Sequence, residues 1–161
     1  MIHWNTLIWG GISGVVVFAV LACSTVPGTD RERLNFMPES QMNQLGDQAF
    51  ASMLEQKDVV TSGSEVNRID RIGHRLAQSA RQLYPSASLP QEWEIVIIDD
   101  DTPNAFALPG GSIGVHTGMI ELAENDDAIG VVIGHEIGHV IAAHSAERMS
   151  HQLLLAGGIA L

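Results

Sequence analysis

The 161 residues suffice for one domain with a modest core and are too few for two. With 45% hydrophobic and 17% charged residues, the composition is that of a folding chain and not a disordered one. A formal net charge of −11, from 8 Lys and Arg against 19 Asp and Glu, leaves no basic patch for phosphates and excludes nucleic acid as a partner.

At the N-terminus, Leu7 to Ala22 are almost entirely apolar or small, and Cys23 follows directly. A short apolar segment ending in small residues reads as a secretory signal. Val20-Leu21-Ala22-Cys23 resembles a bacterial lipobox, although Met1 to Thr6 contain no Lys or Arg. That resemblance implies a signal peptide over residues 1–22 and lipidation of Cys23. Ser24 in place of Asp implies the outer membrane. An uncleaved N-terminal anchor is the competing reading, but the apolar run is slightly short of a bilayer span. Cys23 is the single cysteine, so an intramolecular disulfide is excluded.

Residues 23–37, with Pro27 and Gly28, read as a lipid-anchored polar linker. Pro38 opens a helix to about Gln56, with Ser40 near its cap and Met42, Leu45, Ala49 and Met53 at helical spacing. Asp58 to Ser64 reads as a loop. A second helix starts near Ser64 and ends at Pro85. Val66, Ile69, Gly73, Leu76, Ala80 and Leu83 form its apolar face, with Arg68, Arg71, Arg75 and Arg81 mostly off it as solvated charges.

Trp93 to Ile98 is β-branched and apolar, hence a strand. Asp99-Asp100-Asp101 closes it as a solvated turn, since no EF-hand spacing follows. Phe106 to Leu108 and Ser112 to His116 read as two short strands around the Pro109-Gly110-Gly111 turn. A long helix then runs from Asn125 or Asp126 to about Ser150, with Asn125, Asp126 and Asp127 as cap and N-terminal charge. The order of helices, strands and helix predicts an α+β fold with a small antiparallel sheet.

The chemistry concentrates in that last helix, at His135-Glu136-Ile137-Gly138-His139. Histidines four apart share a helix face, about 40° apart, so both imidazoles can reach one zinc ion. Glu136 flanks that face and is placed to act as a general base on a water in zinc's open position. Charge is mostly excluded between Ala128 and His144, which predicts a buried helix where the carboxylate needs a metal or a partner. The bland alternative is two core histidines bonded to carbonyls and Glu136 in an ion pair. A metzincin spacing would need glycine at 142 and histidine at 145; Ala142 and Ser145 stand there. A gluzincin arrangement remains, with a glutamate from a later helix as third ligand.

Asn104-Ala105-Phe106-Ala107-Leu108-Pro109-Gly110-Gly111, then Ile113 to Ile120, then Val131 to His144, resemble in order the CAAX-prenyl-protease and HtpX-like zinc metalloendopeptidases, peptidase family M48. Thr29 to Phe50 resembles the leader of that family's bacterial lipoprotein branch. The resemblance implies a zincin-like fold and one zinc per subunit. His135 and His139 would be ligands and Glu136 the catalytic base. It further implies an edge strand that binds extended substrate, involving Asn104, Ala105, Gly111, Ile113 and Gly114. The implied enzyme is an Oma-like quality-control endopeptidase that cuts misfolded membrane-associated proteins on the periplasmic side of a bacterial envelope.

Within such a family the third ligand, a glutamate, lies on a helix well downstream. The expectation is therefore that residues 38–161 are the N-terminal and central part of a metallopeptidase domain, truncated at the C-terminus. A truncated, inactive lipoprotein acting as a binding module is the alternative. In a third reading Glu121, Glu124 or His116 completes a nonstandard site, although His116 is better read as structural. Glu147 sits ~12 Å further along the expected helix, too far to join the pair. The apolar run from Leu153 and the exposed edge strand favour association into a homo-oligomer.

Overall fold

The computed structural model describes residues 23–26, 32–34 and 37–149. The signal segment 1–22 and the apolar run from Leu153 lie outside the described residues. Within the stretch expected as a plain tether, β1 (Cys23–Thr25) and β2 (Glu32–Leu34) pair antiparallel, with Cys23 opposite Leu34.

Helix α1 (Glu39–Leu54) starts directly after Pro38, whose carbonyl accepts from the amides of Gln41 and Met42. Ser40 lies inside the helix and no side chain caps it. Met42, Gly46 and Phe50 recur every four residues and form the buried face. Val59–Val60 (β3) forms a short strand where a loop was expected. Helix α2 (Ser64–Leu83) buries Ile69, Gly73, Ala77 and Ala80, whereas Leu83 is exposed.

The next strands are β4 (Glu94–Ile98), β5 (Ala105–Ala107) and β6 (Ser112–His116). They join β3 in a four-stranded sheet of order β3-β4-β6-β5. The sheet is mixed, which corrects the expectation of an antiparallel one. The central pair is parallel, from Glu94 opposite Ser112 to Ile98 opposite His116. The cause is the crossing between β4 and β5. The chain passes β6's position and returns through the Pro109 turn, so β6 runs alongside β4 and in its direction. Every residue of β6 is buried, as suits a strand flanked on both sides.

Helix α3 (Thr117–Leu122) follows β6 at once and was not foreseen. Helix α4 (Asp126–Ile141) begins as expected, with the Asn125 side chain accepting from the Ala128 amide at 2.9 Å. Ile129, Ile133 and Ile137, spaced four apart, point into a core with Ile69, Ile97, Ile113 and Val115. Gly73 is needed for that packing: a Cβ there would lie 2.2 Å from the Cδ1 of Ile95.

The long helix expected to reach Ser150 stops short. Ala142 and Ala143 form a turn, with Ala143 at φ 47°, and a separate helical stretch covers 144–149. Helices commonly close on a left-handed residue, but usually glycine or asparagine. Ala-Ala gave no such signal. No helix among the described residues is long and apolar enough to cross a membrane.

Candidate metal centre and cleft

The isoleucine ladder that buries one side of α4 turns the opposite side outward. Val131 is 73% exposed and His135 is exposed, while Glu136 and His139 are half-buried. The helix is thus buried on one face only, which corrects the expectation of a wholly buried one. A half-buried Glu136 costs little to desolvate, so it is the geometry of the trio that points to a metal.

That geometry is compact. One ligand atom from each of His135, Glu136 and His139 lies within 4.8 Å of the others. The two imidazole centroids are 4.5 Å apart with planes at 75°. Two imidazoles and a carboxylate, converging from one helix turn, are donor types that suit zinc. His135 and His139 therefore fit a zinc ion, with the Glu136 carboxylate beside them. Glu121, Glu124 and His116 do not join the trio in any such group among the described residues. Glu121 and Glu124 are exposed on and after α3.

His116 belongs to a different cluster. Its Nδ1 lies 3.1 Å from the Thr102 carbonyl and 3.7 Å from Oδ1 of Asp100. Asp100 accepts from Lys57 Nζ at 2.9 Å and from the Thr102 amide at 2.9 Å. The Lys57 hydrogen bond first, and the Thr102 amide next, hold its carboxyl well below the usual aspartate range. The Asp triplet is therefore more than a solvated turn: Asp100 ties β4 to the end of β6.

A cleft of about 930 Å³ opens beside Glu136 and His139. Phe106, Ala107, Leu108 and Pro109 line its other wall, and Met42 and Asn43 of α1 reach in. Sequence reasoning placed substrate contacts elsewhere. Gly111, Ile113 and Gly114 are buried and do not line this cleft, and Asn104 sits in an exposed loop. Gly111 and Gly114 shape the strand and its turn. The ring of Phe106 would lie 2.3 Å from a Cβ on Gly114, so only glycine lets it pack there. Gly111 holds φ 104° at the turn.

Ala105 is not among the residues lining the cleft but lies on β5, the edge strand of the sheet among the described residues. The Asn104 carbonyl accepts from the His116 amide, and the Leu108 amide donates to the Ser112 carbonyl. Antiparallel pairing alternates, so the N–H and C=O groups of Ala105 and Ala107 point away from β6 toward the open edge.

Residues beyond the break in α4 also reach the cleft, Glu147 and His144 among them. Glu147 lines it, instead of lying further along one rod. His144 brings its Nδ1 to 2.6 Å from Nδ1 of His139. Neither position was legible without the turn at Ala142–Ala143.

The sequence is similar to proteins whose names agree with this chemistry. It is 28% identical over 155 residues to the mitochondrial metalloendopeptidase OMA1 of Saccharomyces cerevisiae, covering 89% of this chain and 43% of that protein. It is 42% identical over 59 residues to the mitochondrial metalloendopeptidase OMA1 of Schizosaccharomyces pombe, covering 37% of this chain and 18% of that one. It is 32% identical over 105 residues to a putative beta-barrel assembly-enhancing protease of Vibrio cholerae, covering 65% of this chain and 20% of that one. The chain spans less than half the length of each of these relatives. The model of peptidase family M48 matches residues 64–160, from the start of α2 through the HExxH helix and beyond it. With that match across more than half its length, the chain belongs to peptidase family M48.

Proposed function

We propose that this chain is the catalytic-helix portion of a zinc-dependent metalloendopeptidase of the bacterial envelope. The observation that carries the reading is the convergence of His135, Glu136 and His139 within 4.8 Å, at a cleft whose far wall is an open strand edge. In this reading α4 is the active-site helix of a zincin, and His135 and His139 hold the ion. A bound zinc supplies Lewis acidity for the scissile carbonyl and acidifies the attacking water. A Glu136 carboxylate oxygen takes that water's proton and passes it to the leaving amine nitrogen. The outward N–H and C=O groups of Ala105 and Ala107 hold an extended polypeptide by its main chain, across the cleft from Glu136. Phe106, Leu108 and Pro109 supply an apolar wall for its side chains.

The apolar segment ahead of Cys23 supports a signal peptide over 1–22 and a lipid anchor at Cys23. The bacterial relative's name, a beta-barrel assembly-enhancing protease, supports an envelope location. We take misfolded or unassembled membrane-associated proteins as the substrate class.

Zinc binding tests the centre. The purified chain is expected to bind zinc through His135 and His139, and His135→Ala to bind it clearly more weakly. A wild-type chain that binds zinc no better than His135→Ala would overturn the reading.

A further inference from the structure

His144 lies outside the trio yet reaches it. We propose that His144 is a positioning residue for the metal centre. Its Nδ1 accepts the Nδ1 proton of His139, which fixes the His139 ring and leaves Nε2 unprotonated toward the ion. The proposal rests on the zinc reading above.

The separation of 2.6 Å between the two Nδ1 atoms decides the kind of contact. Two nitrogens on one tetrahedral zinc, each ~2.0–2.1 Å from it, sit about 3.3 Å apart. The pair is therefore too close to share an ion and is hydrogen-bonded. A neutral imidazole carries one N–H, so the direction of that bond fixes both tautomers. If His144 donated, the His139 proton would sit on Nε2 and block the lone pair a metal needs. With His139 donating, its Nε2 is free and His144 keeps its own proton on Nε2. Metal-binding histidines generally give their second N–H to a carboxylate, carbonyl or water. Here an imidazole takes that role.

The contact does not follow from spacing along a helix. In an unbroken helix residues five apart point about 140° apart, and these rings would diverge. The turn at Ala142 and Ala143, with Ala143 at φ 47°, folds His144 back until the ring centroids are 4.9 Å apart. The left-handed alanine is the structural device that delivers the acceptor.

Zinc affinity by chelator competition, cobalt(II) spectra and metal-free thermal melts of the wild type, His144→Ala and His144→Asn test this. Asn places its Oδ1 where Nδ1 of histidine stands, so it can accept the same proton. His144→Ala is expected to weaken zinc binding by about 10–100-fold. His144→Asn should hold zinc to within roughly a few-fold of wild type. The cobalt(II) visible band should move in the alanine variant and stay in the asparagine one, with all three metal-free proteins melting alike. Alanine and asparagine variants weakened equally, or an alanine variant that binds zinc as tightly as wild type, would overturn the role of His144 while leaving the centre standing. A wild-type chain without zinc affinity would overturn both.

Discussion

Two histidine–carboxylate clusters sit at opposite ends of the chemistry in this fold. Around His116 the groups are tied to one another. Thr102 and Asp100 face the ring, and Lys57 and the Thr102 amide occupy the carboxylate. His116 is 7% exposed at the end of a fully buried strand. Around His135, Glu136 and His139 the donors converge on one another, and His135 faces solvent. The residue types are the same, but one set is neutralised by its neighbours and the other set is presented. A cluster that holds a fold together has its polar atoms engaged; a cluster poised to hold an ion points several donors at one place.

Substitutions at the two clusters should therefore fail in different ways. The largest effect is expected at Glu136→Gln, which should slow cleavage of an unfolded polypeptide by about 100–10,000-fold. Zinc content and melting temperature should remain. Loss of zinc in that variant would mean Glu136 is a ligand first and a base second. Next, His116→Ala should destabilise the chain by about 1–3 kcal/mol by emptying the space of a buried ring and removing its bond to the Thr102 carbonyl. Denaturant titration reads that loss, and zinc affinity should not move. A weakened zinc site would erase the distinction between the clusters.

The smallest effect is expected at Asp100→Asn. Asp100 has a depressed carboxyl pKa in the folded chain, so its contribution is fully present above the ordinary aspartate value of about 3.9. It fades as pH falls from there toward the folded-state value. The asparagine variant should melt slightly below wild type at neutral pH, with the gap closing below about pH 4. A gap that stays constant through that range would show that Lys57 and Thr102 do not act through the charge.

Much of the scaffold was legible from periodicity alone. Val66, Ile69, Gly73 and Ala80 announced α2, the Asn125 cap announced the start of α4, and Ser112 to His116 matched β6 residue for residue. The trio was legible as well, because a spacing of four fixes a helix face before any tertiary contact is known. What failed was less local. The parallel pairing of β4 with β6 depends on where the chain crosses, which strand patterns do not encode. The outward turn of Val131 and His135 depends on which side of α4 the sheet occupies, and an apolar helix pattern is nearly silent on that. The break after Ile141 had no glycine or proline to announce it, so the approach of His144 was invisible.

The shortness of β5 has a bearing on solubility. An open strand edge invites copies of the same chain to stack. This one is three residues long, and Pro109 lies two positions beyond its end with no N–H to extend a ladder. Two outward-facing alanines are enough to seat one visiting strand briefly. They are too few to nucleate a growing sheet, so this edge, which no strand among the described residues covers, is a poor seed for stacking.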